Sequence, residues 1–177
     1  MRYVYFGLAS IVALVVIVAV IGWLLPVRHQ ATAARTYKAS APALFSLITD
    51  VSSFPTWRRE VTKVETLPDE NGRRRWRETT KNGPPITFLV ERTEADRLLV
   101  GRIADTNLPF GGAWTYELTP AGNGSTTLRI TEDGEVYNPI FRFVSRFVMG
   151  HDATMKQYLS AVGTRFAEVP GEGASPR

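Results

Sequence analysis

Cysteine is absent from the 177-residue chain, and histidine occurs only twice. A zinc site of the usual nitrogen and sulfur type would therefore need carboxylates as its main ligands, and we expect no metal. The absence of cysteine fits a reducing compartment, but it equally fits a secreted domain large enough to fold without disulfides.

Several well-known functional motifs are also missing. The chain contains no G-x-S-x-G elbow of the kind that carries a nucleophilic serine. No glycine-rich loop opens a helix after a strand, as nucleotide-binding domains require. No stretch interleaves basic residues with stacking aromatics in the manner of a nucleic-acid-binding module. We therefore predict neither a cofactor nor a nucleic-acid partner.

The charge of the chain is mildly positive, at +4. Such a surplus fits a solvated surface, and it also fits attraction to anionic lipid headgroups. The most basic stretch is a predicted strand in which alternation places Arg73, Arg75 and Arg77 on one side. This strand is either a charged solvent face that discourages edge pairing or a basic patch that leans on a membrane.

The N-terminus carries a long uncharged run at residues 4–25. As a helix, these residues would extend about 33 Å, enough to cross a hydrocarbon core of about 30 Å. We predict an anchor over residues 1–26 that makes a single-pass membrane protein, and counting Lys and Arg favours a cytoplasmic domain. A cleaved signal peptide ending near Ala31–Ala33 is the alternative, although the apolar run exceeds the usual signal length.

The remainder predicts one domain over residues 27–168, followed by a disordered tail at 169–177. An extended segment leads to a short helix that Ser40 caps at its N-terminus, and Pro55 interrupts the chain after that helix. Trp57 ends this helix pair, and the next residue, Arg58, is expected at the surface. The strands expected after it are Val61–Leu67, Arg73–Lys81, Ile86–Thr93, Leu98–Asp105, Ala113–Leu118 and Thr126–Val136.

The chain is expected to close with one long helix from Pro139 to Glu168. Gly150 and Gly163 interrupt its pattern and mark places where it can bend. The order of elements predicts a curved antiparallel sheet wrapped around this helix, with a cavity between them. The inward stripe of the helix is Val144, Val148, His151, Met155, Leu159, Val162 and Phe166.

Four segments of the chain carry a family resemblance: "SAPALFSLITDVSSFPTW", "WTYELTP", "GNGSTTLRITEDGEV" and "NPIFRFVSRFVMGHDATMKQYLSAVGTRF". They resemble the SRPBCC superfamily of START-like, helix-grip proteins, and its polyketide cyclase/dehydrase and lipid-transport branch in particular. The resemblance implies an α+β helix-grip fold, in which a curved antiparallel seven-stranded sheet surrounds a long C-terminal helix, here preceded by one N-terminal transmembrane helix. As to function it implies little, because such folds carry many activities.

Strand alternation identifies the side chains that should line the cavity. The apolar face of the last predicted strand carries Ile130 and brings Glu132 inward with it. Trp57 is expected either to pack at the rim or to contact a ligand. The predicted ligand-binding residues are Trp57, Trp76, Phe88, Ile103, Trp114, Tyr116, Ile130, Val144, Val148, His151 and Met155.

Three functions remain open on the sequence alone. The first is a membrane-anchored binding protein for a hydrophobic small molecule, a lipid or polyketide-like compound. The second is a cyclase or dehydratase with Glu132 and His151 as catalytic candidates, because a carboxylate and an imidazole in one apolar cavity shift each other's pKa values. Alternatively, Glu132 pairs with Arg142 or Arg146. The third function is a protein-interaction module without a ligand.

Overall fold

The computed structural model describes residues 2–150 and 152–169. His151 therefore lies outside the described residues, as does the predicted tail apart from Val169. The helices are α1 (Arg2–Leu24), α2 (Ala41–Thr49), α3 (Phe54–Trp57), α4 (Pro139–Val144) and α5 (Ala153–Val162), with a 3₁₀ turn at Val51–Ser53 and a π-helix at Ser145–Met149. The strands are β1 (Arg28–Tyr37), β2 (Val61–Glu70), β3 (Arg73–Thr80), β4 (Ile86–Glu94), β5 (Leu98–Ile103), β6 (Phe110–Gly122) and β7 (Ser125–Val136).

The strands form one antiparallel seven-stranded sheet in the order β1-β7-β6-β5-β4-β3-β2. The predicted α+β fold class is confirmed. Two tight hairpins follow directly from the sequence, since Asn71-Gly72 and Asn123-Gly124 both have positive φ at each residue. That conformation matches the twist of the adjoining strands and sets their register.

The short helices close one side of the sheet as predicted. The Ser40 hydroxyl accepts a hydrogen bond from the backbone N–H of Ala43, 3.4 Å away, which caps α2. Leu44 and Ile48 are the buried face of α2, and Trp57 is buried at the end of α3. These side chains share one core with the inward face of the sheet and with α5.

The prediction of one continuous C-terminal helix was wrong. The chain leaves the helical path at Gly150, whose φ of 74° belongs to the left-handed region that glycine adopts without strain. Only α5 lies on the core, through side chains such as Met155 and Leu159. Residues 139–149 form a separate junction segment, made of α4 and the π-helix.

Two predicted cavity residues lie on this junction segment and not in the core. Val148 is 72% exposed, which contradicts its assignment to the cavity wall. Val144 is half-buried on α4, which packs against α1 and β7. The helical spacing of both residues was read correctly, but the break at Gly150 turns their helix away from the sheet.

Helix α1 is apolar over residues 3–24, and it contacts the domain mainly at α4. Its residues Tyr5–Leu24 form the one helix in the described part of the chain that is long and apolar enough to cross a membrane. Only 6% of its most apolar window is buried. The same length and composition would also fit a signal sequence.

Candidate ligand-binding site

Four aromatic rings meet between the sheet and α5, and we call them the aromatic cluster. Its members are Trp57 on α3, Trp114 and Tyr116 on β6, and Tyr158 on α5. The Tyr158 ring lies 5.4 Å from Trp57, 6.0 Å from Trp114 and 5.5 Å from Tyr116, measured between centroids. The first two contacts are edge-to-face, an arrangement that aromatic pairs prefer.

A buried ion pair lies beside the aromatic cluster. Arg58 Nη1 is 2.9 Å from Glu78 Oε2, and the side chains of these two residues are only 13% and 6% exposed. The second carboxylate oxygen of Glu78 accepts a hydrogen bond of 2.8 Å from the Trp76 indole N–H. The Arg58 guanidinium also lies over the rings of Phe54 and Tyr158. A charged, fully engaged group therefore borders an otherwise apolar interior.

Arg58 was expected at the surface, and that expectation was wrong. Burial is the largest single influence and lowers the pKa of Arg58, but the Glu78 carboxylate, the two neighbouring tyrosines and the hydrogen bond to Glu60 together outweigh it, and the pKa is raised. Local alternation cannot reveal such a partner, because Glu78 comes from another strand.

The Tyr158 hydroxyl is the least satisfied polar group in this region. Its oxygen is buried and makes no hydrogen bond of good geometry with the described residues, although the Tyr116 hydroxyl lies close enough to influence its pKa. Burial raises the pKa values of both Tyr158 and Tyr116, so both hydroxyls keep their protons at neutral pH. The sequence stripe passed over Tyr158, although it directly precedes the inward Leu159.

Most of the predicted ligand-binding side chains come together around this cluster. Trp76 stacks on Phe88 with a centroid distance of 5.3 Å, and Ile103 lies opposite Phe88 in the register of β4 and β5. Ile130 and Met155 are fully buried in the same core. His151 falls outside the described residues, so its predicted place in the cavity stays a prediction.

The open volume lies elsewhere than the sequence suggested. A cleft of about 460 Å³ runs along the outside of α2 and α3, where Trp57, Leu47 and Phe166 contribute to its lining. A second cleft, of about 330 Å³, lies where α1 meets β1 and α4. Neither cleft separates the sheet from α5, where the side chains of the core occupy the space. Trp57 alone belongs to both the aromatic cluster and the outer cleft.

Glu132 points inward as predicted, but its neighbour is a residue that the sequence analysis overlooked. His29 Nε2 lies 3.8 Å from Glu132 Oε1. A Cβ atom at Gly134 would overlap the His29 imidazole, so glycine makes room for the ring. Burial raises the pKa of Glu132, and hydrogen bonding from Trp114 opposes this in part. The pairing of β1 with β7 is the signal that could have found His29.

The alternative partners expected for Glu132 are engaged differently. Arg142 donates to the carbonyl oxygens of Leu25 and Tyr137, at 2.8 and 3.2 Å. Arg146 is exposed and makes no ion pair within the described residues. The predicted pairing of Glu132 with either arginine is therefore wrong.

Comparison with known sequences places this geometry in a family. Residues 28–167 match the sequence profile of "Polyketide cyclase / dehydrase and lipid transport". The chain belongs to this family. A search among curated proteins gave no match.

Solved structures of the family fold agree with this assignment. A START superfamily protein from Mycobacterium smegmatis is 20% identical with a TM-score of 0.61, and the alignment covers 77% of this chain and 96% of that one. The Zhui aromatase/cyclase from a Streptomyces species is 16% identical with a TM-score of 0.62, covering 78% and 93%. Norcoclaurine synthase from Thalictrum flavum is 12% identical with a TM-score of 0.62, covering 78% and 86%. The TM-scores show a shared fold, and at such low identities the likeness shows the fold alone.

Proposed function

We propose that this polyketide cyclase/lipid-transport family member is a membrane-anchored protein that binds a hydrophobic small molecule between the sheet and α5. The ligand class is a lipid or a polyketide-like compound with an apolar body and a polar atom. The observation that carries the proposal is the buried Tyr158 hydroxyl at the centre of the aromatic cluster, which makes no well-formed hydrogen bond with the described residues although the Tyr116 hydroxyl is close to it. Leaving such a group unpaired costs about 1–3 kcal/mol, which a polar ligand atom would recover.

Apolar contact would supply most of the affinity. The rings of Trp57, Trp114 and Tyr116 surround the Tyr158 side chain. Each Å² of apolar ligand surface buried among these rings would stabilise the complex by about 25 cal/mol. Such a ligand must displace side chains, because the space is filled without it. We expect the Trp57 side chain to be the one displaced, since it also lines the outer cleft beside α2 and α3.

Tryptophan fluorescence tests this proposal directly, because the chain has four tryptophans and only Trp23 lies outside the core. In a Trp23→Phe background, the full chain in detergent is titrated with fatty acids and with polycyclic aromatic compounds. We expect saturable quenching, and weaker binding in Tyr158→Phe. The matched control is Tyr137→Phe, which removes an exposed hydroxyl bonded to Glu135 and should bind normally. The proposal is contradicted if neither the fatty acids nor the polycyclic aromatic compounds give saturable quenching.

A second function, proton transfer on a bound ketide, is favoured by the Glu132–His29 pair. The raised pKa of Glu132 suits it to donate a proton to a carbonyl oxygen, while His29 at 3.8 Å accepts one from the adjacent carbon. Deuterium exchange at the carbon next to a ketone tests this function. We expect Glu132→Gln and His29→Gln each to slow the exchange, and equal exchange in both variants and the parent chain would refute it.

A further inference from the structure

The second cleft lies at the foot of α1 and is strongly basic; we call it the membrane-proximal cleft. It has a volume of about 330 Å³, and no acidic residue contributes to its lining in the described part of the chain. Its lining residues are Leu25, Pro26, Val27, Arg28, His29, Gln30, Val136, Arg142 and Arg146.

Two of the three arginines in this cleft are not neutralised. Arg28 is paired with Glu135 at 3.2 Å. Arg142 is held by backbone carbonyls of Leu25 and Tyr137, and its Nε is buried without a hydrogen-bond partner among the described residues. Arg146 makes no hydrogen bond or ion pair within the described residues. The guanidinium groups of Arg142 and Arg146 therefore line the cleft without a carboxylate partner among the described residues. Guanidinium is the side-chain group that best matches the geometry and charge of a phosphate.

The surface beside the cleft is apolar, although no described residue of the domain covers it. Phe141, Phe147 and Val148 on the junction segment are 56%, 61% and 72% exposed. The same segment packs against α1, and a Cβ at Gly22 would overlap the Pro139 carbonyl, so the two helices approach closely. Exposed aromatic side chains with arginines between them are typical of a segment that lies in a membrane interface.

We propose that the membrane-proximal cleft binds the phosphate of an anionic phospholipid headgroup. Arg142 and Arg146 hold the phosphate, and the exposed side chains of the junction segment enter the acyl boundary beside α1. This inference rests on that part of the proposed function which puts α1 in a membrane, and it needs no ligand in the aromatic cluster. It also assigns contact with anionic lipid to this cleft and not to the arginines of β3, which the sequence analysis had considered for that role.

The position of β3 supports this choice. Five antiparallel pairings separate β1 from β3 in the sheet, so the two strands run in opposite directions. The register places Arg75 level with Gln30 of β1, but five strand spacings of about 4.8 Å each put the β3 arginines about 24 Å from β1 and α1, measured across the sheet. The arginines there also have local partners, since Arg75 lies 3.6 Å from Glu70 and Arg74 donates to the Thr49 carbonyl.

Native mass spectrometry of the full chain in detergent tests the inference, with phosphatidylglycerol and phosphatidylcholine of identical acyl chains as the probes. We expect tighter binding of phosphatidylglycerol, and about a five-fold loss of that binding in Arg146→Gln, which corresponds to about 1 kcal/mol per charge near an anionic surface. Arg142→Gln should lose at least as much. Arg146 makes no contact that the fold needs, so its variant guards against misfolding as an explanation.

The matched control is the double variant Arg73→Gln/Arg77→Gln, which removes two charges from β3 and should bind phosphatidylglycerol normally. Glycerol 3-phosphate added as a competitor distinguishes a lipid from a soluble phosphate. Unchanged binding in both Arg146→Gln and Arg142→Gln, an equal loss in the β3 control, or full competition by the soluble phosphate would each overturn the inference. Tyr158→Phe should retain the lipid preference, which separates this site from the aromatic cluster, and carbonate extraction separately tests the insertion of α1.

Discussion

Two regions of the molecule differ in how far they bury apolar side chains. One is the core between the sheet and α5, and the other is the junction of α1 with α4. In the core, Met155 and Leu159 are almost completely buried, and even the ionised Arg58 has a buried partner. At the junction, Phe147 is 61% exposed and Arg146 makes no ion pair within the described residues. The core buries its apolar side chains, whereas the junction leaves them exposed to solvent. That contrast fits the proposed tethering of the domain to a bilayer.

Removal of the anchor is expected to have the largest effect on this contrast. The full chain should remain in the membrane pellet after carbonate washing, because a 20-residue apolar span at Tyr5–Leu24 has no core to enter. A chain lacking residues 1–26 should move to the soluble fraction and still unfold cooperatively, because the core does not use α1.

Two outcomes would contradict the anchor. One is a full chain that carbonate releases from the membrane. The other is a mature N-terminus located after residue 33, which would show that the apolar run is a cleaved signal.

Breaking the buried ion pair should have the next largest effect. Glu78→Ala removes the buried partner of Arg58, which keeps only the more exposed Glu60 at 3.0 Å, and it removes the acceptor of the Trp76 indole N–H. We expect the free energy of unfolding to fall by about 3 kcal/mol, measured by urea denaturation.

A surface pair near the junction provides the control for this substitution. Glu135→Ala breaks the pair with Arg28, whose side chain is 85% exposed, and it should change the unfolding free energy little. Similar losses in Glu78→Ala and Glu135→Ala would show that the core and the junction do not differ as described.

A smaller difference in unfolding free energy is expected between substitutions of two buried tyrosines of the core. The Tyr37 hydroxyl donates to the Leu159 carbonyl at 2.6 Å, so Tyr37→Phe should lower the free energy of unfolding by about 1 kcal/mol. The Tyr158 hydroxyl makes no well-formed hydrogen bond with the described residues, so Tyr158→Phe should leave the free energy of unfolding unchanged or raise it in protein stripped of ligand. A large loss in Tyr158→Phe would mean that its hydroxyl is already satisfied within the fold.

The smallest expected effect concerns pH. Burial raises the folded-state pKa of Glu132, so the folded chain binds this proton more tightly than the unfolded chain. The contribution of Glu132 to stability is therefore present at low pH and is lost as pH rises through its folded pKa. Glu132→Gln should be more stable than the parent at neutral pH, with the difference vanishing near pH 4. Urea denaturation between pH 4 and 8 measures it, and a difference that grows toward low pH would contradict the sign.

Local signals in the sequence account for the framework of the fold. Asn-Gly at residues 71–72 and 123–124 specifies tight hairpins, and Ser40 with Pro42 specifies the start of α2. Alternation along β7 placed Ile130 and Glu132 on the inward face, where the structure has them. These features depend on a few neighbouring residues, so one sequence is enough to reveal them.

The features that the sequence did not reveal depend on residues far apart in the chain. Arg58 is buried because Glu78 reaches it from β3, and His29 meets Glu132 because β1 pairs with β7. Gly150 was identified as a place where the C-terminal helix can bend, but the apolar spacing continues through Val148 and did not predict that the segment before Gly150 packs on α1. Tertiary contacts decided each of these cases.

The most direct measurement for the whole account is native mass spectrometry of the full chain purified in detergent from its own host. If the core binds a hydrophobic small molecule, a fraction of the chains should carry one small apolar compound. That fraction should fall in Tyr158→Phe and stay unchanged in the control Tyr137→Phe. A spectrum that shows only the bare chain and membrane phospholipid, identical in all three proteins, would contradict the account.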